Sequence, residues 1–451
     1  MVIILTYKAS PHRRVSGFVA RVACVFTILA SSVTAACMPA RMEHVAPRHV
    51  FPVGQTIQLS QYPFAVIDDP QTQRLFVLNG ATINAAVSSS SSFAMSSASV
   101  IDAASGTPVH AQPLQGNVGL AMQGTNVPAV IDPRTGEFWL LVGPRLDANG
   151  VAHGQGGLIL LDGQTGRLIR SITLGPQPHG VGINGYNGIG MDSGGRHIFL
   201  SDSQYVLILD VTTGRSLGVV PGGGARFQVV TDVRHGRVYL LSGTEDVALD
   251  ERTDAVLTNT TIPTRGQEVA DAFVLDTQAA HILVDLYDEG ADANRVCVVA
   301  LTSGRVIRCI DAVGGRFMAV DATTHRAFAI RTVHGSGEGP FTIDTLDTRS
   351  GRLVRTETTD ALGDASTMIS IAVDERVGRV FVTRDTPTPY ADARGQLIVL
   401  DATTGRVIRR TSTGRGTWEA GPAVAVDLGT GHVFVANTID KTISVFDAKR
   451  L

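Results

Sequence analysis

The chain has 451 residues, 48 of them glycine, with 18% charged side chains and a formal net charge of −3. That balance excludes the basic stripe expected of a nucleic-acid-binding surface, and no apolar run reaches the roughly 18 residues that a membrane-spanning helix needs. Length alone suggests about three domains, but internal repeats override that expectation, because stacked units share one continuous core.

The N-terminus comes first. Lys8, Arg13, Arg14 and Arg21 precede the apolar stretch Val22 to Leu29, which gives way to small residues and then Thr34-Ala35-Ala36-Cys37. A charged, then apolar, then small-residue order is that of a secretory signal. Residues 1–36 therefore read as a signal peptide, and 37–54 as a short linker. Cys37 directly after Ala-Ala also resembles a bacterial lipoprotein signal, although Thr34 stands where that motif usually has Leu. The resemblance implies lipidation of Cys37, with membrane contact only through that anchor. Ordinary cleavage after Ala35 or Ala36 is the other reading. The first places the protein in the envelope as an anchored lipoprotein, the second leaves it soluble and periplasmic.

From residue 55 onward one pattern recurs: an apolar strand, an Asp, a tight turn, then a second apolar strand. The Asp falls at Asp69, Asp132, Asp192, Asp232, Asp276, Asp321, Asp374 and Asp427. The sixth residue after each opens an apolar run, at Leu75, Phe138, Ile198, Val238, Ile282, Ala327, Val380 and Val433. A second hairpin follows in each copy. Its turn reads Asp-x-x-Thr-Gly-Arg at Asp162 to Arg167, Asp210 to Arg215 and Asp401 to Arg406. Looser versions stand at Asp102 to Gly106, Asp250 to Asp254 and Asp347 to Gly351, and Ala300 to Gly304 lacks the Asp. An Asp that accepts backbone N–H bonds and a Gly that takes positive φ are what such turns require. Four strands per unit without helical periodicity predict an all-β propeller spanning 55–451. Eight units are countable, or seven if one is misread. The last copy stops after Phe446-Asp447, and Thr56 to Leu59 has the pattern to supply its missing strand and close the ring. Truncation at either end should then damage the whole fold.

Of the four cysteines, Cys24 and Cys37 belong to the leader and Cys297 and Cys309 to the body. A three-residue loop Thr302-Ser303-Gly304 pairs Leu301 with Arg305 and sets Cys297 opposite Cys309, at a hydrogen-bonded position of the ladder. Export makes a cross-strand disulfide the natural outcome, and two reduced thiols packed in a blade are the alternative.

The line Ala423-Val-Ala-Val-Asp427, Val433-Phe-Val-Ala-Asn437, Ile443-Ser-Val-Phe-Asp447 resembles the YVTN-type propeller repeat, and Gly175 to Val181 is similar to its inter-blade linker. That family includes binding proteins, surface proteins and redox subunits, so the resemblance implies a fold more than a function. The Asp-x-x-Thr-Gly-Arg turns also resemble the repeat of quinoprotein dehydrogenases and their non-enzymatic eight-bladed relatives. That repeat carries a Trp shortly after the Gly, where this chain has Arg170, Arg355 and Arg409. With only Trp139 and Trp418 present, no Trp girdle and no quinone are expected.

The Asp turns and Thr-Gly-Arg turns are short and share one face of a propeller. The remaining connections are long and irregular: 80–97, 143–156, 175–186, 288–294, 332–340, 359–366, 385–395 and 413–420. Variable loops on a rigid scaffold are where binding residues concentrate. Candidate ligand-face residues are His153, His179, His334, Tyr390, Arg415, Trp418 and Glu419, with Asp288, Glu289, Asp292, Glu338 and Asp392 nearby. No ligand spacing of the His-x-x-x-His kind, haem motif, phosphate loop or Gly-x-Ser-x-Gly elbow occurs, so no metal, no cofactor and no catalytic residue is assigned. His197, His235, His281, His325 and His432 fall in the regular turns and read as solvated. Ser88 to Ser92 and Ser96 to Ser99 read as a flexible loop of the first blade. The leading reading is a non-enzymatic scaffold binding a protein, a peptide or a cell-envelope component. The alternative is an enzyme, a redox subunit or a lactonase-like hydrolase, with its site at the channel mouth. The likeness to non-enzymatic eight-bladed lipoproteins adds a third, an outer-membrane assembly subunit with an apolar patch on one rim.

Overall fold

The computed structural model describes residues 54–451 except 81–94, 115–128, 143–144, 147–151, 154–155, 175–187, 202–204, 222–226, 233–234, 243–244, 252, 254, 289–290, 292, 302, 316, 333–340, 360–368, 385–394 and 416–422. The signal, the linker, Cys37 and the segment Gly175 to Val181 therefore lie outside the described residues. Eight four-stranded antiparallel sheets follow one another along the chain, which makes the fold an eight-bladed β-propeller. Numbered from the N-terminus, blade 1 comprises Tyr62–Asp69, Arg74–Gly80, Met95–Asp102 and Pro108–Pro113, and blade 2 Ala129–Ile131, Phe138–Val142, Gly157–Leu161 and Leu168–Thr173. Blade 3 is Gly188–Met191, His197–Ser201, Tyr205–Asp210 and Ser216–Pro221; blade 4 is Phe227–Asp232, Arg237–Ser242, Glu245–Asp250 and Val256–Thr261. Blade 5 holds Glu268–Asp276, His281–Asp288, Ala293–Ala300 and Val306–Asp311; blade 6 holds Phe317–Asp321, Arg326–Thr332, Phe341–Asp347 and Arg352–Thr358. Blade 7 is Ile369–Asp374, Arg379–Arg384, Gln396–Asp401 and Val407–Ser412. Blade 8 is Val424–Asp427, His432–Asn437 and Thr442–Asp447, and its outer strand is the N-terminal Thr56–Gln58, antiparallel to Thr442–Asp447. The ring therefore closes through hydrogen bonds between the two ends of the described chain.

The recurring Asp explains how the blades join. All eight of these aspartates are at most 1% exposed, and a buried carboxylate must be well supplied with donors. Asp69 accepts from Gln71 N–H at 3.0 Å and from the Thr72 hydroxyl at 2.5 Å. Asp276 accepts from Gln278 and Ala279 N–H at 2.9 and 2.8 Å. Each turn then needs a left-handed residue to reverse the chain. Gln73, Gly136, Gly195, Gly236, Ala280, His325, Gly378 and Gly431 fill that place, with φ between 53° and 79°. The left-handed residue presents its carbonyl to the second hairpin turn of its own blade, as in Ala103 N–H to Gln73 O and Ala402 N–H to Gly378 O, both at 3.0 Å. In blades 2 and 3 it also lies against the preceding blade. A Cβ at Gly136 would stand 2.6 Å from an Asp69 oxygen and 2.3 Å from Thr72 Cγ2, and one at Gly195 2.6 Å from Asp132. One carboxylate thus organises its own hairpin and the contact to the next blade.

Seven residues after each Asp, one residue points into the gap between blades: Phe76, Trp139, Phe199, Tyr239, Leu283, Phe328, Phe381 and Phe434, each no more than 1% exposed. Burying side chains of this size contributes about 1.5–3 kcal/mol apiece. Phe76 stacks on Phe138 of blade 2, with centroids 4.3 Å apart. Trp139 is thus a core residue of a second strand. Two of the three arginines that stand in place of the quinoprotein Trp dock on the next blade, while Arg355 pairs with Glu357 in its own strand. Arg170 donates to Thr212 O at 2.6 Å and to Val211 O in the next blade, and Arg409 reaches Arg450 O at 2.7 Å.

Two local expectations change. Ser96 to Ser99 is strand, not loop, with Ser97 and Ser99 at 5% and 9% exposure; both hydroxyls accept from Asn79 Nδ2, at 3.2 and 2.8 Å, which makes them tolerable in the interior. Ser88 to Ser92 lies outside the described residues. Cys297 does face Cys309, with sulfurs 2.00 Å apart, but by another route. The loop is one residue longer, closed by Ala300 N–H to Arg305 O at 2.9 Å, and a bulge at Val298/Val299 restores the register. Because Ala312 N–H bonds Asn294 O at 3.0 Å, alternation along the ladder puts the cysteines at a non-hydrogen-bonded pair. There the side chains approach more closely than at the bonded pair expected.

Gly136→Ala and Gly236→Ala separate the two jobs of the turn. Gly236 has φ 60° and nothing within 4 Å of an added Cβ, so alanine there should cost about 1–2 kcal/mol of left-handed strain. Gly136→Ala adds the clash with Asp69 and Thr72 and should cost about 1–3 kcal/mol more. Chemical denaturation of the two variants side by side measures the difference.

Candidate functional site

The hairpin turns alternate between the two faces of the ring, so the Asp turns and Thr-Gly-Arg turns share one face. The other face carries the remaining connections, and these are less uniform in length than the sequence suggests. Ser242 and Glu245 bound a tight connection in blade 4, the strands of blade 5 run on to Asp288 and resume at Ala293, and in blade 2 Arg145–Leu146 and Ala152–His153 form a small extra hairpin. His179, His334, Tyr390, Trp418 and Glu419 lie outside the described residues, as do Glu289, Asp292, Glu338 and Asp392. His153 ends the second strand of the extra hairpin. Arg415 lies among the described residues.

Arg415 follows the outer strand of blade 7 and meets blade 8. Its backbone N–H donates to Asp440 Oδ2 and its Nε to Asp440 Oδ1, both at 2.7 Å. Ile439 N–H returns to Arg415 O at 3.0 Å, so the connector is fastened on both sides. The pair closes one end of a cavity of about 670 Å³ between the outer parts of blades 7 and 8. Ser412 and Thr413 line one wall; Thr442, Ser444 and Thr56 line the other. A cleft of this size is in the range that holds small ligands. Blade 8 reaches it with Asn437, whose Nδ2 donates to Thr442 Oγ1 and Ser444 Oγ at 2.9 Å each, while its Oδ1 accepts from Gly414 N–H at 2.8 Å. Sequence reasoning found Arg415 but missed Asn437, Thr442 and Ser444, although polar residues inside an apolar strand pattern were a visible signal.

On the regular face the histidines are not solvated as expected. His432 is 3% exposed and its Nδ1 lies 3.1 Å from Ala103 O in blade 1. His281 Nδ1 lies 2.8 Å from Thr348 O, and His325 Nδ1 3.0 Å from Asp276 in the preceding blade. His197 is largely covered beside Asp192, and His235 stays half-exposed at 44%. The reason is the ring itself, since residues at the end of the turn or one position beyond it meet the neighbouring blade. Asp68 was also missed. Burial first, then the charges of Asp427 and Asp69, push its carboxyl up to about 8, with Arg376 opposing weakly. Three carboxylates thus gather where the last blade meets the first. In the second hairpin turns the shift is opposite: hydroxyl and N–H donors from Thr165 and Thr213 hold Asp162 and Asp210 below the usual carboxylate range.

Among the described residues no group of three His, Cys, Asp or Glu side chains is arranged to hold a metal ion, and no helix is long and apolar enough to cross a membrane. Exposed aliphatics such as Leu168, Leu217, Val256, Leu353 and Ile408 each lie within the first two residues of the outer strand of blades 2, 3, 4, 6 and 7, just after the second hairpin turn.

No protein-family model matches the chain, and no curated protein matches it. Among solved structures it is similar to BamB from Moraxella catarrhalis, at 13% identity and a TM-score of 0.56, over 88% of this chain and 100% of that one. It is also similar to Ika8, a computationally designed protein, at 15% identity and a TM-score of 0.52, over 87% of this chain and 100% of that one. Likeness at this identity establishes the propeller fold and leaves function to the site itself.

The acidic cluster gives the ring a pH dependence of definite sign. A carboxyl whose folded pKa lies above its unfolded value holds its proton better when folded, so its contribution to stability is present at low pH and lost as pH rises from about 4 to about 8. Asp68→Asn should therefore match the parent near pH 4 and exceed its stability by roughly 1–3 kcal/mol above pH 8. Urea midpoints for both proteins across that range check it.

Proposed function

We propose that the protein is an exported propeller of the YVTN type whose loop-rich face binds a protein, a peptide or another component of the cell envelope. The observation that carries this reading is the contrast between the faces. On one, each turn after an innermost strand carries a buried Asp, and turns such as those at Gly136 and Gly195 pack against the neighbouring blade. On the other, the connections differ in length from blade to blade. A disc stiffened on one side and varied on the other suits recognition. BamB, similar in fold, is compatible with such a role, and the absence of an assigned catalytic group in the sequence favours binding over the alternative of an enzyme.

The reading includes Cys37 as a lipid-modified anchor and Cys297–Cys309 as a disulfide formed on export. Cross-linking in intact cells, followed by peptide mapping, should place partner cross-links in 385–395 and 413–420 and leave the Asp turns unlabelled. Cross-links confined to the regular turns would overturn the face assignment. A cofactor mass in native mass spectrometry of the purified protein would favour the enzyme. Cys37→Ser should move the protein from the membrane to the soluble fraction; unchanged membrane association would remove the anchor from the proposal.

A further inference from the structure

One position of the third strand divides the blades into two groups. Three residues before the second hairpin turn stand Ile159, Leu207, Val247, Cys297 and Ile398 in blades 2, 3, 4, 5 and 7. Blades 1, 6 and 8 have Ser99, Asp344 and Ser444 there, each diagonally across from a polar residue at the end of the second strand: Asn79, Arg331 and Asn437. Three blades thus carry a polar slot on an otherwise apolar face, and burying such groups requires partners.

Two of the slots are filled by the protein. In blade 6, Asp344 accepts from the Thr356 hydroxyl at 2.6 Å and from Gly314 N–H at 3.4 Å, and the connector Gly314-Gly315 packs so tightly that a Cβ on Gly315 would overlap Ile330 O. In blade 1, Ser97 donates to Gln61 and Asn79 donates to Ser97 and Ser99. Only the inner end of the blade 8 slot is covered, by Gly414, and its outer end opens into the cavity of about 670 Å³ beside blade 7.

The chemistry of that opening is specific. Asn437 Oδ1 is taken by Gly414 N–H, so its amino group must face Thr442 and Ser444. Both hydroxyls accept from it, which leaves each its own proton to donate. Thr56, Ser412 and Thr413 add further hydroxyls, and Val445 and Phe446 add a small apolar surface. The charge of Arg415 is balanced by Asp440 at 2.7 Å, so the cleft has no uncompensated charge to attract an ion. A peptide strand would need pockets for alternate side chains, which a wall of hydroxyls does not supply.

We infer that the cleft between the outer strands of blades 7 and 8 binds a neutral, polyhydroxylated ligand, a short glycan. The ring oxygens and hydroxyls of a sugar match the oriented donors of Thr442 and Ser444, and one sugar face can rest on Phe446. This goes beyond recognition by the loop-rich face and does not depend on it.

The test is titration of the purified protein with maltotriose, cellotriose and diacetylchitobiose, by calorimetry and saturation-transfer NMR. At least one should bind with a dissociation constant of about 1 mM or tighter. Ser444→Ile, which installs the residue found at the same position of blade 7, should weaken that binding at least about tenfold, equivalent to roughly 1.4 kcal/mol, in a protein that still unfolds cooperatively on heating. If that variant fails to fold, Thr56→Val on the exposed closing strand provides the same readout. Absence of binding by all three sugars up to about 10 mM overturns the inference. So does unchanged affinity in the folded variant, or saturation of the cleft by a tetra-alanine peptide in preference to sugar. Failure here would leave the pattern of cellular cross-links untouched, so the two proposals are judged separately.

Discussion

A buried carboxylate at the end of each innermost strand is the interaction on which the ring depends. An aspartate excluded from water must satisfy its oxygens, and the nearest donors are the N–H groups of the turn that follows it. Accepting those bonds sets the turn, and the turn brings a left-handed residue to a place where its carbonyl faces the second hairpin and its backbone faces the neighbouring blade. Hydrogen bonds to a charged acceptor contribute about 1.5–3 kcal/mol each. Repeated in eight blades, they make the regular face a closed hoop. The aromatic residues seven positions on fill the space between sheets and complete each junction.

The same hoop constrains what can vary. Substitutions in the regular turns are felt by two blades at once, as the close approach of Gly136 to Asp69 and of Gly195 to Asp132 makes plain. Connections on the other face differ in length from blade to blade. A ring closed by a short N-terminal strand has one junction unlike the rest. Around it lie the acidic cluster of Asp68, Asp69 and Asp427 and, one blade back, the hydroxyl-lined cleft. Departures from the repeat elsewhere, such as the Cys297–Cys309 bridge of blade 5 and the extra hairpin of blade 2, stay within single blades.

Legibility in the sequence followed range. The eight Asp turns, the Thr-Gly-Arg turns and the use of Thr56 to close the last blade were readable, because each rests on local turn chemistry or on a strand pattern left incomplete. The pairing of Cys297 with Cys309 was found through a loop one residue too short, a bulge having cancelled the error. Ser97 and Ser99 were misplaced into a loop because serine weakens an apolar pattern, and only the amide of Asn79 makes their burial tolerable. The histidines were read as solvated because a single hairpin would leave them so. At the site, Arg415 stood out as a charge in a connector, while Ser444 was hidden inside a strand whose neighbours are apolar.

What the sequence by itself determined is the blade and its number: a spacing of turns, a strand period and an Asp that needs donors from its own following residues, all physics within about ten positions. What only the tertiary structure decided is everything that one blade does to the next. Arg170 reaching the carbonyl of Thr212, Asp276 meeting His325, the shared charge around Asp68 and the cleft beside Ser444 all join residues from different blades. Local propensity cannot report such contacts, because they exist only once the ring has closed and set each sheet against its neighbour.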